Sequence, residues 1–129
     1  MNLIERMRWG KDGTIPLVVV DSETQRTLVL CFMDREALRL TLETGKIHTY
    51  SRSRGRVALK GETSGHYQIV KRIRVNCNED SLVFEVEQKV AACHNGYFSC
   101  YYREVDLKSG ELRTVDERLF DPDKVYGKS

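Results

Sequence analysis

No run of apolar residues in this chain approaches the length of a membrane-crossing helix, and the opening M-N-L-I-E-R-M-R-W lacks the apolar segment of a signal peptide. Charge of one sign is also scarce: 21 basic residues against 19 acidic leave a formal net charge of +2. Such a balance provides no global field for nucleic acid or an anionic membrane. Internal repeats and linkers are missing, and 129 residues make one domain with a real core. These absences point to a soluble cytoplasmic protein with neither nucleic acid nor membrane as partner. In a reducing compartment its four cysteines are ligands or core residues rather than disulfides.

What is present reads as strands around one helix. Ile15 to Asp21 (I-P-L-V-V-V-D) and Thr27 to Met33 (T-L-V-L-C-F-M) are β-branched or apolar runs separated by the polar S-E-T-Q-R, which predicts a hairpin. Cys31 lies inside the second strand and reads as a core thiol. Asp34 caps a helix over 35–44, Glu36 opposes its dipole, Ala37, Leu38, Leu40 and Leu42 give it an apolar side, and Gly45 stops it. Further strands are expected at Lys46–Ser51, Arg56–Lys60, Tyr67–Asn76, Leu82–Lys89 and Phe98–Val105. The fold class is α+β, mainly antiparallel sheet with one main helix. Residues 1–105 form the body of the domain, and the polar stretch 106–129 an extension docked on that body or at an interface.

Two stretches carry chemistry. Fifteen residues separate Cys77 from Cys93 and six separate Cys93 from Cys100, without the C-x-x-C pair of a zinc ribbon. Three thiolates with one open position suit a catalytic Zn²⁺; buried inert cysteines are the competing reading. His94 adjoins Cys93, placed either as general base or proton shuttle or as a residue that only orients the site. Asn76, Asn78, Glu79 and Asp80 crowd oxygens around Cys77, a donor type suited to Mg²⁺. The second stretch, Ser51 to His66 (S-R-S-R-G-R-V-A-L-K-G-E-T-S-G-H), has Arg52, Arg54, Arg56 and Lys60 and no acid between Gly45 and Gly61. Arginine forks and serine hydroxyls bind phosphate, and the turn Gly61 to Gly65 offers backbone N–H groups to an anion. A solvated basic hairpin is the alternative; RNA binding lacks the aromatic stacking pattern it needs. Together the stretches describe metal-assisted hydrolysis of a phosphorylated small molecule.

Y-S-R-S-R followed by K-G-E-T-S-G-H, then Cys77, V-E-Q and A-C-H-N-G-Y-F-S-C ending in Tyr101-Tyr102-Arg103, resembles the phosphoribosyl-AMP cyclohydrolase family of histidine biosynthesis. The likeness covers roughly residues 9 to 104, including D-G-T-I-P-L-V-V-V-D and F-M-D-R-E-A-L-R-L-T-L-E-T-G-K-I-H. It implies hydrolytic opening of the N1–C6 bond of phosphoribosyl-AMP, with Zn²⁺ on Cys77, Cys93 and Cys100 gathered from both chains of an intertwined homodimer. It implies catalytic roles for His94, Glu62 and His66, and substrate binding by Ser51, Arg52, Ser53, Arg54, Lys60, Glu62, Thr63, Ser64 and Gly65. Mg²⁺ would fall to Asp80 with Asn76 and Asn78. Here the chain departs from the family, which has three aspartates where this sequence reads Asn76-Cys77-Asn78-Glu79-Asp80. Two formal charges are lost, so cation affinity should drop. Ala58 stands where the family usually has tryptophan, removing a large aromatic surface. Two other readings remain open: a diverged paralogue acting on another purine nucleotide, and a non-catalytic zinc-stabilised module that binds a phosphorylated ligand.

Overall fold

The computed structural model describes residues 2–126. Along the chain come helix α1 (Leu3–Arg6), strands β1 (Ile15–Asp21) and β2 (Thr27–Met33), helix α2 (Arg35–Thr44), and strands β3 (His48–Ser51), β4 (Arg56–Leu59), β5 (Gln68–Val75) and β6 (Leu82–Gln88). The short strands β7 (Arg103–Val105) and β8 (Leu112–Thr114) and helix α3 (Pro122–Tyr126) complete it. Strands dominate three modest helices, as an α+β domain requires.

The main sheet has the order β2-β1-β6-β5. Its outer pairs are antiparallel, as expected, but the central pair β1–β6 is parallel. The chain between them runs through α2 and four further strands, ample for the crossover that parallel pairing needs. In β1 the alternation buries Ile15, Leu17 and Val19, which meet Leu82, Phe84 and Val86 of β6. Helix α2 covers that face with Ala37 and Leu38. Each such large apolar side chain contributes about 1.5–3 kcal/mol on burial.

Local signals account for α2. Asp34 accepts from the Ala37 amide at 2.8 Å, and Gly45 (φ +76) donates its own N–H to the Thr41 carbonyl. That left-handed stop aims the chain into β3, and the Ile47 amide then donates to the Gln68 carbonyl at 3.1 Å. The β3–β4 hairpin is thereby hung on the start of β5, directly before the functional turn.

Three boundaries differ from expectation. Lys46 joins Ile69 through an isolated bridge, and β3 proper begins at His48. The alternation expected in β5 is interrupted by a bulge, where pairing jumps from Val70↔Val86 to Arg72↔Glu85 and leaves Lys71 and Arg72 both exposed. Only Arg103–Val105 of the strand expected at Phe98–Val105 forms, because Ser99 and Cys100 bond instead to the backbone of β2. The β7–β8 hairpin straddles the division expected at residue 105, so the extension begins within a paired element; its last residues, 127–129, lie outside the described residues. No helix among the described residues is long and apolar enough to cross a membrane.

Candidate active site

The basic segment is shaped by two glycines. Gly61 has φ +91, and a Cβ there would stand 2.7 Å from the backbone C and O of His66, so the K-G-E-T-S-G-H turn folds onto itself only with glycine at that position. Gly65 N–H closes the turn on the Gly61 carbonyl at 2.7 Å, and the His66 amide donates to Ser64 Oγ at 3.1 Å. Gln88 holds the turn from below: its Nε2 donates to the His66 carbonyl at 3.3 Å, while its Oε1 accepts from Gln68 Nε2 at 2.8 Å. His66 is left only 9% exposed, with its Nδ1 lacking a hydrogen-bond partner among the described residues.

A second loop faces this turn. Backbone bonds from Ala92 to the Phe98 carbonyl (2.9 Å) and from Cys93 to the Tyr97 carbonyl (3.1 Å) close it, and the Asn95 amide donates to Cys93 Sγ at 3.4 Å. Ser99 Oγ on the Thr27 carbonyl (2.6 Å) and the Cys100 amide on the Leu28 carbonyl (2.8 Å) staple the loop to β2. Cys93 and Cys100 become neighbours: burial, then the adjacent Cys93, pushes the Cys100 thiol up to about 11, against the pull of the Lys60 ammonium. Two sulfurs side by side are the kind of soft donor pair that suits a soft cation. Cys31, on β2 nearby, is pushed up to about 12 by burial and stays a thiol. Lys60 Nζ bonds the Ala92 carbonyl at 3.2 Å and so joins the two loops.

Between the loops lies a cavity of ≈ 330 Å³. Arg54, Lys60, Glu62, Thr63, Ser64, His66 and His94 all line it, so the phosphate-type donors and the proposed proton-transfer groups share one space. Ser51, Arg52, Ser53 and Gly65 are not among its lining residues. Arg52 turns towards Asp12 (3.4 Å) and over the Phe32 ring (4.5 Å), while Ser51 Oγ receives the Arg54 amide at 3.3 Å and shapes the hairpin tip. Ala58 lines the cavity as well.

Cys77 is elsewhere. It sits exposed in the β5–β6 turn, whereas Cys93 follows the far end of β6. Seven residues of β6 separate the two ends, about 20 Å at the rise of a strand. Among the described residues no three potential ligands of one chain come together. Cys93 and Cys100 are therefore adjacent to each other, and Cys77 of the same chain lies too far away to join them.

The oxygens around Cys77 serve the turn itself. Asn76 Oδ1 accepts from the amides of Asp80 (3.0 Å) and Ser81 (3.1 Å), and Asn76 Nδ2 donates to Asp80 Oδ1 at 2.5 Å. The neighbouring Glu79 carboxylate is taken by Arg6 at 2.7 Å, which holds it below the usual carboxylate range. With Asp80 the one remaining acid, this set does not fit Mg²⁺, which favours carboxylates free to meet it in octahedral order.

Sequence reasoning missed three contributors. Thr49 and Tyr126 line the cavity, and Gln88 positions His66. The V-E-Q motif was the signal for Gln88; nothing local marked Tyr126.

The model of a family described as Phosphoribosyl-AMP cyclohydrolase matches residues 29–102. A relative of that name from Methanoregula boonei is 48% identical over 123 residues, covering 95% of this chain and 96% of its own. Another from Methanothrix thermoacetophila is 50% identical over 112 residues, 87% of this chain and 88% of the relative. The chain is also 42% identical to 57% of a "Histidine biosynthesis bifunctional protein HisIE" from Thermoanaerobacter pseudethanolicus.

Proposed function

The chain belongs to the phosphoribosyl-AMP cyclohydrolase family, and from that premise we propose that it opens the purine ring of phosphoribosyl-AMP by hydrolysis at N1–C6, in histidine biosynthesis, with zinc held by Cys93 and Cys100 of one copy and Cys77 of a second. The observation that carries this reading is the single cavity on which Arg54, Lys60 and the Thr63–Ser64 hydroxyls converge with His66 and His94, beside the Cys93–Cys100 pair.

Each group has a task that follows from its place. Arg54 and Lys60 neutralise phosphate, and the hydroxyls fix its oxygens. Zinc bound at the thiolates supplies Lewis-acid activation of water. His94, next to Cys93, takes a proton from the incoming water. The water oxygen ends as the oxygen of the new carboxamide, and N1 leaves C6 with a proton for which Glu62 and His66 are the nearest candidates. His66 Nδ1 is buried without a hydrogen-bond partner among the described residues, and a polar group of the substrate would satisfy it.

A homodimer is part of the proposal because one copy brings only two of the three sulfurs. The exposed apolar side chains of the β7–β8 region (Val105, Leu107 at 99% exposure, and Leu112) supply surface for such pairing. The test is turnover of phosphoribosyl-AMP, followed by its ultraviolet change, with zinc content measured alongside. Activity lost on stripping zinc and restored by zinc supports the reading. Zinc-loaded protein that binds the nucleotide without ring opening leaves a binding module, and opening of a different purine nucleotide leaves a paralogue.

A further inference from the structure

The tail beyond the β7–β8 hairpin is tied at successive points, first to the β1–β2 turn and then to the cysteine loop. Asp116 pairs with Arg26 at 2.7 Å, the Arg118 guanidinium lies 5.8 Å from the centre of the Tyr97 ring, and the Leu119 amide donates to the Gly96 carbonyl at 2.7 Å. At Gly96 the approach is so close that a Cβ would stand 2.5 Å from the Phe120 carbonyl oxygen, and φ there is +101. The glycine within A-C-H-N-G-Y therefore makes room for the tail. Phe120 then meets His66 edge-on, with ring centres 4.9 Å apart. Helix α3 follows, and its Tyr126, 6.2 Å from the Phe120 ring, forms part of the cavity wall.

The chemistry of that wall is uneven. Cations, hydroxyls, imidazoles and the Glu62 carboxylate account for its polar part, and Ala58, Leu59, Ala91 and Ala92 for most of the rest. Among the described residues, Tyr126 is its one Phe, Tyr or Trp ring. A phosphorylated purine nucleotide presents charged oxygens, which the cations take, and a flat base with two π-faces, which small aliphatic side chains grip poorly. We propose that Tyr126 is the residue on which the purine stacks, and that the segment Asp116–Tyr126 is a wall of the substrate site, determining its preference for an aromatic base. This rests on the cavity being the nucleotide site, as proposed above. Phe120 is a positioning residue: it seats α3 against His66.

Tyr126 is 42% exposed, so its replacement should leave the fold intact. The experiment compares wild type, Tyr126→Ala and Tyr126→Phe by calorimetric titration with AMP and by KM and kcat for phosphoribosyl-AMP. Base–aromatic stacking of ordinary strength predicts that Tyr126→Ala raises the AMP Kd and the KM about tenfold, with kcat changed by less than about twofold, while Tyr126→Phe stays near wild type. If wild type turns the substrate over and Tyr126→Ala keeps both its Kd and KM, stacking is wrong and the reaction assignment survives. If wild type shows no turnover yet the alanine variant still loses AMP affinity, the stacking role stands and the reaction assignment falls. Wild type that neither binds AMP nor turns over overturns both.

Discussion

Lys60 Nζ donates to the Ala92 carbonyl oxygen across 3.2 Å, and this bond joins the phosphate-type turn to the loop that carries Cys93 and His94. The same ammonium lies close enough to Cys100 to favour its thiolate. Replacing it therefore affects anchorage and charge together.

Lys60→Met keeps the aliphatic stem and removes the charge. A hydrogen bond to a charged group contributes about 1.5–3 kcal/mol, so kcat/KM for phosphoribosyl-AMP should fall roughly 10- to 150-fold. Steady-state kinetics check this; a loss smaller than about threefold would mean that Lys60 is a spectator.

His94 faces the cavity beside Cys93. His94→Ala should lower kcat by about 10²–10⁴ while zinc content is retained, whereas Cys93→Ser should lose both zinc and activity. Metal analysis and turnover on the same preparations separate the two. Full rate in the histidine variant would remove it from the mechanism.

Gly61→Ala places a Cβ against the His66 backbone, at a φ of +91 that side chains avoid. Denaturant unfolding should show a loss of about 1–3 kcal/mol or more, accompanied by weakened AMP binding as the turn opens. Unchanged stability and affinity would contradict the account of the turn.

Glu85 provides a pH prediction away from the cavity. Its carboxylate accepts from Gln25 (3.1 Å) and from Arg74 (3.2 Å), with Arg72 also near, and these hold it below the usual glutamate range. The folded state thus releases this proton more readily than the unfolded chain. The stabilisation is whole above the unfolded value, about 4.3, and is lost as pH falls through it to the lower folded value. Melting temperature should drop with acid in that window more steeply for wild type than for Glu85→Gln. Parallel curves would contradict it.

What was legible in the sequence was mostly local. The β1–β2 hairpin and α2 follow from alternation, the Asp34 cap and the Gly45 stop, signals carried within a dozen or so residues. The parallel register of β1 with β6 depends on pairing across more than sixty residues, and no local pattern encodes it. Residues 98–100 look like strand, yet their donors go to Thr27 and Leu28. At the site, the motif residues Arg54, Lys60, Glu62 and His66 line one cavity, while Arg52 points away to Asp12. Tyr126 enters from a polar tail whose docking depends on a close approach at Gly96, visible only once the backbone is in place.

The separation of Cys77 from the Cys93–Cys100 pair makes the whole account testable in one mixture. Chains carrying Cys77→Ser and chains carrying Cys93→Ser, each inactive alone, are unfolded, mixed in equal amounts and refolded with zinc. If each site takes Cys77 from one copy and the other two sulfurs from its partner, half of the random dimers regain one of their two sites, and activity should recover to about one quarter of wild type. A mixture that stays as inactive as its parents, though dimeric and folded, would contradict a metal site shared between two copies.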